Sequence, residues 1–375
     1  MSGIYVHIPF CSKACHYCDF HFSTSLNLVE SVISCIQKEL KKKKHLLLNK
    51  AIKSIYFGGG TPSALHHDYI FDILNTIKEN FNLSKNIECT IEMNPDNVSP
   101  ELIRKYYDNG INRVSLGVQS FRDCDLLYMN RSHDGKQALE SIEILNKSKI
   151  NNLNVDLIYG YPILDDKSWL ENLKILTGFS VNHISCYCMT VEKKTALEFF
   201  IKKKKMRPLE PDTGARQFKI ARDFLMSKKF IHYEISNYSI KGFSSVHNQN
   251  YWNQSDYIGV GPSAHSFVDN LRQWNINNNK KYCDKINANK IFYQNEKLNR
   301  KNIFNEYILM NLRSFKGIDI SYCYKQLKSD EIKDFDNEIK KLENINVLRK
   351  NNNLIYLNEK GMLVSDNISS RLFLV

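Results

Sequence analysis

From residue 1 to about residue 190, short apolar runs alternate with longer amphipathic stretches. The runs "GIYVHI", "SIYF", "ECTIEM", "RVSLGV", "NVDLIYG" and "HISCYCM" are rich in β-branched and aromatic residues and read as strands. In the segments between them, 28–44, 66–80, 100–109, 134–148 and 167–177, apolar positions recur at helical spacing. Six strands separated by helices pair in parallel through right-handed crossovers, as an open doubly wound sheet or as a barrel. The polar residues decide between these. Cys11 follows the first strand, "GGGTP" (58–62) the second, and Glu92 lies toward the end of the third. Gln119 ends the fourth, Asp156 lies in the fifth and Thr190 follows the sixth. Barrels of parallel strands gather their sites at the carboxyl ends of the strands. The expected fold is therefore α/β, a partial barrel of six β/α units.

Beyond residue 210 a helical stretch leads to "IHYEISNYS" and then to the aromatic-rich "HNQNYWNQSDYIGVGPSAHSF". From about residue 300 the pattern becomes a helix, "EYILMNLRSF", followed by "KKLENINVLRKNNNLIYLNEKGMLV", which reads as a helix and a β-ribbon. The expected division is a barrel over 1–210, an extension over 211–290, and a smaller helical, winged-helix-like module over 291–375. The last reads as a contact or capping element.

Composition narrows the function classes. The 375 residues carry a formal charge of +12, but the runs "KKKKH" and "IKKKKM" have no interleaved aromatics and read as solvated faces, so no nucleic-acid partner is expected. Ten scattered cysteines do not make a disulfide scaffold in a chain of this size. No apolar run approaches the ~18 residues of a membrane span, and the apolar start lacks a signal peptide's cleavage pattern. A cytoplasmic protein with at most peripheral membrane association is expected.

In "IYVHIPFCSKACHYCDFHF" the cysteines Cys11, Cys15 and Cys18 stand at C-x3-C-x2-C, and Phe20 occupies the place of a fourth. Zinc takes four ligands, and His16 or His21 would complete such a set. A four-iron cluster takes thiolates, and three of them leave one iron open. Both chemistries suit these residues.

With Tyr17 just before the last cysteine, the motif resembles the signature of the radical S-adenosylmethionine superfamily, and "FGGGTP" is similar to its glycine motif. The resemblance implies a 4Fe-4S cluster on Cys11, Cys15 and Cys18 whose open iron is chelated by S-adenosyl-L-methionine, from which a reduced cluster releases a 5′-deoxyadenosyl radical. More narrowly, "IYVHIPFC", "FGGGTPS", "IEMNP", "VSLGVQSF", "NRSHD", "NVDLIYGYP" and "DYIGVGPSAHS" resemble the family of oxygen-independent coproporphyrinogen III oxidase and the HemW-type heme chaperones, over essentially the whole chain. By that resemblance Tyr5, Tyr17, Gly59, Gly60, Thr61, Glu92, Gln119, Arg131 and Asp156 contact S-adenosylmethionine. The chemistry suits them: Glu92 accepts from an ammonium, Arg131 pairs with a carboxylate and Asp156 accepts from ribose hydroxyls.

Three features point to the chaperone branch: Phe20 in place of a fourth cysteine, only ten residues ahead of the motif, and "HNQNYW" (247–252), which matches H-N-x-x-Y-W. The implied function is to bind heme and transfer it to an acceptor protein such as a heme-dependent respiratory enzyme, with an electron donor for the cluster. His247 offers an imidazole to heme iron, Tyr251 and Trp252 offer flat faces, and His265 is a second imidazole. The same cluster motif also suits decarboxylation of coproporphyrinogen III or another radical reaction such as methyl transfer, and a zinc-stapled nucleic-acid binder is the reading from a different class. Cys186 and Cys188, on one face of "SCYC", read as small buried hydrophobes, as do Cys35, Cys89, Cys124, Cys283 and Cys323.

Overall fold

The computed structural model describes residues 2–375. Strands β1 (Ser2–Ile8), β2 (Ile52–Gly59), β3 (Leu83–Met93), β4 (Arg113–Gln119), β5 (Asn152–Tyr159) and β6 (His183–Cys188) lie side by side in chain order, all parallel. The crossovers carry α1 (Val29–Lys43), α2 (His67–Asn80), α3 (Pro100–Asp108), α4 (Asp123–Tyr128), α5 (Gly135–Asn146) and α6 (Asp166–Thr177). Each long helix buries one apolar stripe, as α1 does with Val29, Val32, Ile33, Ile36 and Leu40. Side-chain caps set several starts: the Ser99 hydroxyl accepts from the Leu102 N–H, and Asp134 forms a capping box with Gln137.

The parallel strands are two-faced. Ile4, Val6 and Ile8, then Ile55 and Phe57, then Val114, Leu116 and Val118 all belong to the buried apolar core. The alternate positions are polar or small: Gly3, Tyr5 and His7 on β1, Ser54, Tyr56 and Gly58 on β2, Glu88, Thr90 and Glu92 on β3. Because a strand's side chains alternate with period two, these residues share the opposite face. Parallel strands covered by helices on both sides are usually apolar throughout; here one face is reserved for polar groups.

After α7 (Ala196–Lys202) and α8 (Pro211–Ser227), the chain adds β7 (Ile231–Glu234) and β8 (Asn237–Ser239), with β8 antiparallel to β6. Helix α9 (Val246–Trp252) follows. Strand β9 (Asp256–Val260) then pairs in parallel with the free edge of β1, a seventh parallel strand beyond the six expected. Strands β10 (His265–Val268), β11 (Leu271–Asn275) and β12 (Tyr293–Lys297) extend that edge antiparallel, with α10 (Asn279–Asn287) between the last two. The sheet order is β12-β11-β10-β9-β1-β2-β3-β4-β5-β6-β8-β7, and its two end strands do not pair. The barrel is partial.

Residues 211–290 share the barrel's core through Phe218, Leu225, Tyr282 and Ile286, and the sheet continues through Lys297, past the boundary expected at 291. A second core, including Phe304, Ile308, Phe335, Leu342 and Ile355, joins α11 (Arg300–Leu312), the helix Ser329–Asn344 and the ribbon Leu348–Asn351/Leu354–Leu357. That is the helix-then-ribbon pattern read from the sequence. Among the described residues no helix is long and apolar enough to cross a membrane.

One buried network fixes the added edge of the sheet. Glu39 on α1 accepts from the Gly261 N–H (2.8 Å), the Tyr282 hydroxyl (2.6 Å) and the Asn275 amide (2.7 Å), and pairs with Lys43 at 2.8 Å. Lys43 in turn donates to the Gly259 carbonyl at 2.9 Å. Both charged side chains are almost wholly inaccessible. Glu39→Ala therefore strands a buried ammonium and is expected to destabilise the protein by about 3–5 kcal/mol in urea unfolding. A loss under about 1 kcal/mol, the range of an exposed pair, would contradict this.

Candidate cofactor site at the strand ends

The loop after β1 carries the three cysteines and is pinned to the end of β2. The Gly60 N–H donates to the Ile8 carbonyl (2.9 Å) and the Thr61 N–H to the Phe10 carbonyl (2.7 Å). A Cβ on Gly60 would lie 2.6 Å from the Phe10 carbonyl oxygen, and Gly59, at φ +103°, would place one 2.4 Å from the His7 ring. The glycines are thus required by the close approach of protein to protein. The Thr61 hydroxyl donates to Cys11 Sγ at 3.5 Å, and Arg131 Nη1 donates to Cys15 Sγ at 3.2 Å.

The zinc alternative does not fit this arrangement. His16 Nδ1 is bonded to the Tyr128 carbonyl (2.8 Å) and His21 Nε2 to Asn279 Oδ1 (2.7 Å), and neither ring lines the cavity that the cysteines share. Among the described residues, the His/Cys/Asp/Glu group whose ligand atoms all lie within 4.8 Å of one another is His66, His67 and Asp68, so the three thiols are spread more widely than that. A tetrahedral zinc with thiolates at ~2.3 Å needs sulfurs about 3.8 Å apart. Three thiols around a wider opening suit a polynuclear cluster.

Cys11, Cys15 and Cys18 line one cavity of about 440 Å³ together with Tyr17, Gly59, Gly60, Thr61, Glu92, Gln119, Arg131 and Asp156. Thr190 completes the rim, so each of the six strands delivers a residue to it as the sequence suggested. Phe20 stands at the same cavity, 67% exposed. The sequence did not single out Asn94, Ser115, Gly117, Tyr187 and Met189, which also line it. Their signal lay in strand parity: Ser115 and Gly117 alternate with buried Val114, Leu116 and Val118.

Two of the buried polar groups here, Gln119 Oε1 and Arg131 Nε, find no partner within the protein. Glu92 accepts from the Tyr56 hydroxyl (2.8 Å) and the Gly59 N–H (3.1 Å), yet burial lifts its carboxyl to about 7. Burial likewise raises Asp156, against hydrogen bonds that include Ser115 and Asn154. It raises the Cys11 thiol and pushes Cys18 up to about 12. Gln119 sits at φ +67°, a conformation that strains a non-glycine residue, and its Oε1 is buried without a donor. Arg131 spends Nη2 on Asn94 Oδ1 (2.7 Å) and the Gly117 carbonyl (2.8 Å), while its Nε is buried and unpartnered. A buried acceptor, a buried guanidinium N–H and a carboxyl that burial holds back from ionising, on one cavity, suit a ligand with both an ammonium and a carboxylate.

Two expected site residues lie elsewhere. Tyr5 is not among the residues lining the cavity; its hydroxyl meets His7 Nδ1 at 3.1 Å. His247 is buried beneath, against β1 and β2: its Nδ1 bonds Ser54 Oγ (2.8 Å), its Nε2 bonds the Tyr251 hydroxyl (3.0 Å), and its ring stacks on Tyr56. The start of its helix is clamped by Glu88, which accepts from the Val246 and His247 N–H groups at 3.0 Å each. Two of the cysteines assigned to the core also differ. Cys188 is exposed and lines the cavity, and Cys124 is exposed, whereas Cys35, Cys89, Cys186, Cys283 and Cys323 are buried as expected.

A partial barrel with a three-cysteine loop at its rim defines a radical SAM protein, and the radical SAM superfamily model matches residues 5–176. Such a protein uses a 4Fe-4S cluster and S-adenosylmethionine. A relative from Buchnera aphidicola subsp. Acyrthosiphon pisum, named heme chaperone HemW, is 35% identical over 329 residues, 84% of each chain. Another of that name from Lactococcus lactis is 29% identical over 100% of this chain and 97% of its own. The chain belongs to the HemW family of radical SAM proteins. Its fold is also that of Escherichia coli coproporphyrinogen III oxidase (HemN), with a TM-score of 0.86 at 20% identity over 99% of this chain and 90% of that one.

The raised Glu92 carboxyl makes stability depend on pH. The unfolded group ionises near its ordinary 4.5 and the folded one near 7, so the folded state holds the extra proton and loses stability as pH rises between those values. Glu92→Gln removes that dependence. In the apoprotein it is expected to gain on the wild type by about 2–3 kcal/mol between pH 5 and pH 8; an equal effect at both would show that Glu92 is not raised. Gly60→Ala forces the cysteine loop off β2 and is expected to lower the iron bound per chain on anaerobic reconstitution, and full incorporation would contradict that.

Proposed function

We propose that this chain binds heme and passes it to an acceptor protein, and that Cys11, Cys15 and Cys18 hold its 4Fe-4S cluster with S-adenosylmethionine on the open iron. The observation that carries the reading is kinship, at up to 35% identity over most of both chains, with proteins named heme chaperones. Phe20 where the oxidase-like motif continues to a fourth cysteine supports the same branch.

When bound, the cluster supplies single electrons to S-adenosylmethionine; the chain's own groups bind and orient. Glu92 would receive the methionine ammonium, Arg131 the carboxylate and Asp156 the ribose hydroxyls, and Gln119 Oε1 would gain a donor. Tyr17, Gly59, Gly60 and Thr61 shape the wall beside them. The partners on this reading would be an electron donor for the cluster and, as heme acceptor, a heme-dependent respiratory enzyme. The compartment is the cytoplasm, in keeping with ten free thiols.

For the heme iron we assign His265 ahead of His247. His247 has both ring nitrogens engaged and is 2% exposed, and burial lowers it to about 3, so its lone pair is committed inside the protein. His265 is exposed and shares a face of β10 with Phe267, two residues along. Burial and the nearby Arg272 lower its pKa, which keeps the ring neutral, the form that ligates iron.

The test is an anaerobic hemin titration of cluster-loaded protein, followed by transfer to an apo-heme protein. Saturable one-to-one binding is expected, with the heme band shifted and weakened in His265→Ala. His247→Ala is expected to lower the melting temperature, because Ser54 and Tyr251 lose their partner. No saturable binding would contradict the chaperone reading and make coproporphyrinogen III decarboxylation the activity to assay.

A further inference from the structure

The cysteine loop has two sides. Its inner side lines the cofactor cavity through Cys11, Cys15 and Cys18. Its outer side is open to solvent at Ser12, Lys13 and Ala14, all exposed and all standing between Cys11 and Cys15. With a ligand in the cavity, this outer side is the approach left to a protein that must come close to the cysteines.

Two helices hold the loop from that side, and His16 is where they attach. Its N–H donates to the Met129 carbonyl (3.1 Å), and its carbonyl accepts from the Leu197 N–H (2.8 Å). Its ring bonds the Tyr128 carbonyl at 2.8 Å and meets Phe200 edge-on at 5.0 Å. The end of α4 and the body of α7 therefore flank the loop. The residues next to these contacts are apolar and bare: Leu127 is 76% exposed and Phe199 is 53% exposed. One exposed apolar residue needs no explanation; two large ones flanking a single functional loop do.

The charge around them is of one sign. The exposed lysines at 202–205 wrap the end of α7, where the Lys203 and Lys205 N–H groups return to the Phe199 and Phe200 carbonyls at 3.0 and 2.8 Å. The Lys203 ammonium lies over the Phe199 ring. Lys13 crosses from the loop to the Arg131 carbonyl at 3.1 Å. Among the described residues Lys202 pairs with Glu198 at 2.7 Å, whereas Lys13, Lys203, Lys204 and Lys205 pair with no carboxylate. As sequence the run is a plain solvated face; the fold sets it beside the cysteines.

We propose that the outer face of the cysteine loop, formed by Leu127, Phe199, Lys13 and the lysines at 203–205, docks a small acidic electron-transfer protein. The proposal rests on the cluster assigned above to Cys11, Cys15 and Cys18. One electron leaves the partner's reduced flavin or iron–sulfur centre and enters the cluster; no bond forms or breaks. A small apolar centre in a basic rim suits such an encounter, which buries under about 1,200 Å² and depends on electrostatic steering.

The experiment mixes cluster-loaded protein anaerobically with reduced flavodoxin or reduced plant-type ferredoxin, two acidic probes, and follows the cluster's visible band by stopped flow. Calorimetry measures binding of each oxidised probe. One variant, Lys203→Glu with Lys204→Glu and Lys205→Glu, reverses the rim; another, Leu127→Ser with Phe199→Ser, removes the centre. With at least one probe the charge variant is expected to lose roughly tenfold or more in binding and reduction rate at low salt, and to approach wild type near 1 M salt. The apolar variant is expected to lose roughly tenfold at every ionic strength. The methyl viologen radical cation needs no docking surface and is expected to reduce both variants at least as fast as wild type. Reduction by both proteins that is indifferent to the charge reversals would overturn the docking face, even if the same variant lost binding to anionic phospholipid vesicles. So would a wild-type cluster that viologen reduces and neither protein does; the cluster assignment would then stand. If no reducible cluster forms on wild type, both fall.

Discussion

Half of each parallel strand faces inward with polar side chains, and a buried polar face is tolerable only when its groups find partners. That requirement organises the rest of the molecule. Low in the barrel the protein supplies the partners itself: His183 bonds Asn154 and Tyr233, Ser54 bonds His247, and Glu88 takes the first N–H groups of α9. Helix α9 is therefore less a loop element than the plug that makes a polar concave face affordable.

Toward the carboxyl ends of the strands the internal partners run out. Gln119 Oε1 and Arg131 Nε remain unpartnered, and Glu92 answers burial by taking up its proton near neutral pH. These are costs a folded protein removes easily by substitution, and they coincide with the three-cysteine loop on one cavity. A second cavity meets the first at Tyr187, between β8 and the β9–β11 edge, and there Asn237 Oδ1 is buried without a donor. Both cavities thus lie where the polar lining goes unmet, separated by Tyr187.

The six strands and the rim were legible because each strand is short, β-branched and ended by a polar residue, and residue order then equals spatial order. Strand β9 was not. It follows α9 and precedes an antiparallel neighbour, so nothing local announces that it joins β1 in parallel, more than 250 positions upstream. The role of His247 was equally hidden. Its motif spoke for a ligand, whereas its ring is held by Ser54, 193 positions away. Cys188 was misassigned for a simpler reason: β6 is buried only through Cys186 and then emerges at the cavity. Propensity and parity are local, while partnership across the barrel is not.

The most direct single measurement is anomalous X-ray scattering at the iron edge from crystals of the protein loaded with cluster, S-adenosylmethionine and hemin. Iron should appear twice, as a compact cluster peak beside Cys11, Cys15 and Cys18, and as one separate atom within bonding distance of His265. A heme iron on His247 or away from His265, or cluster density away from the three cysteines, would contradict the two assignments.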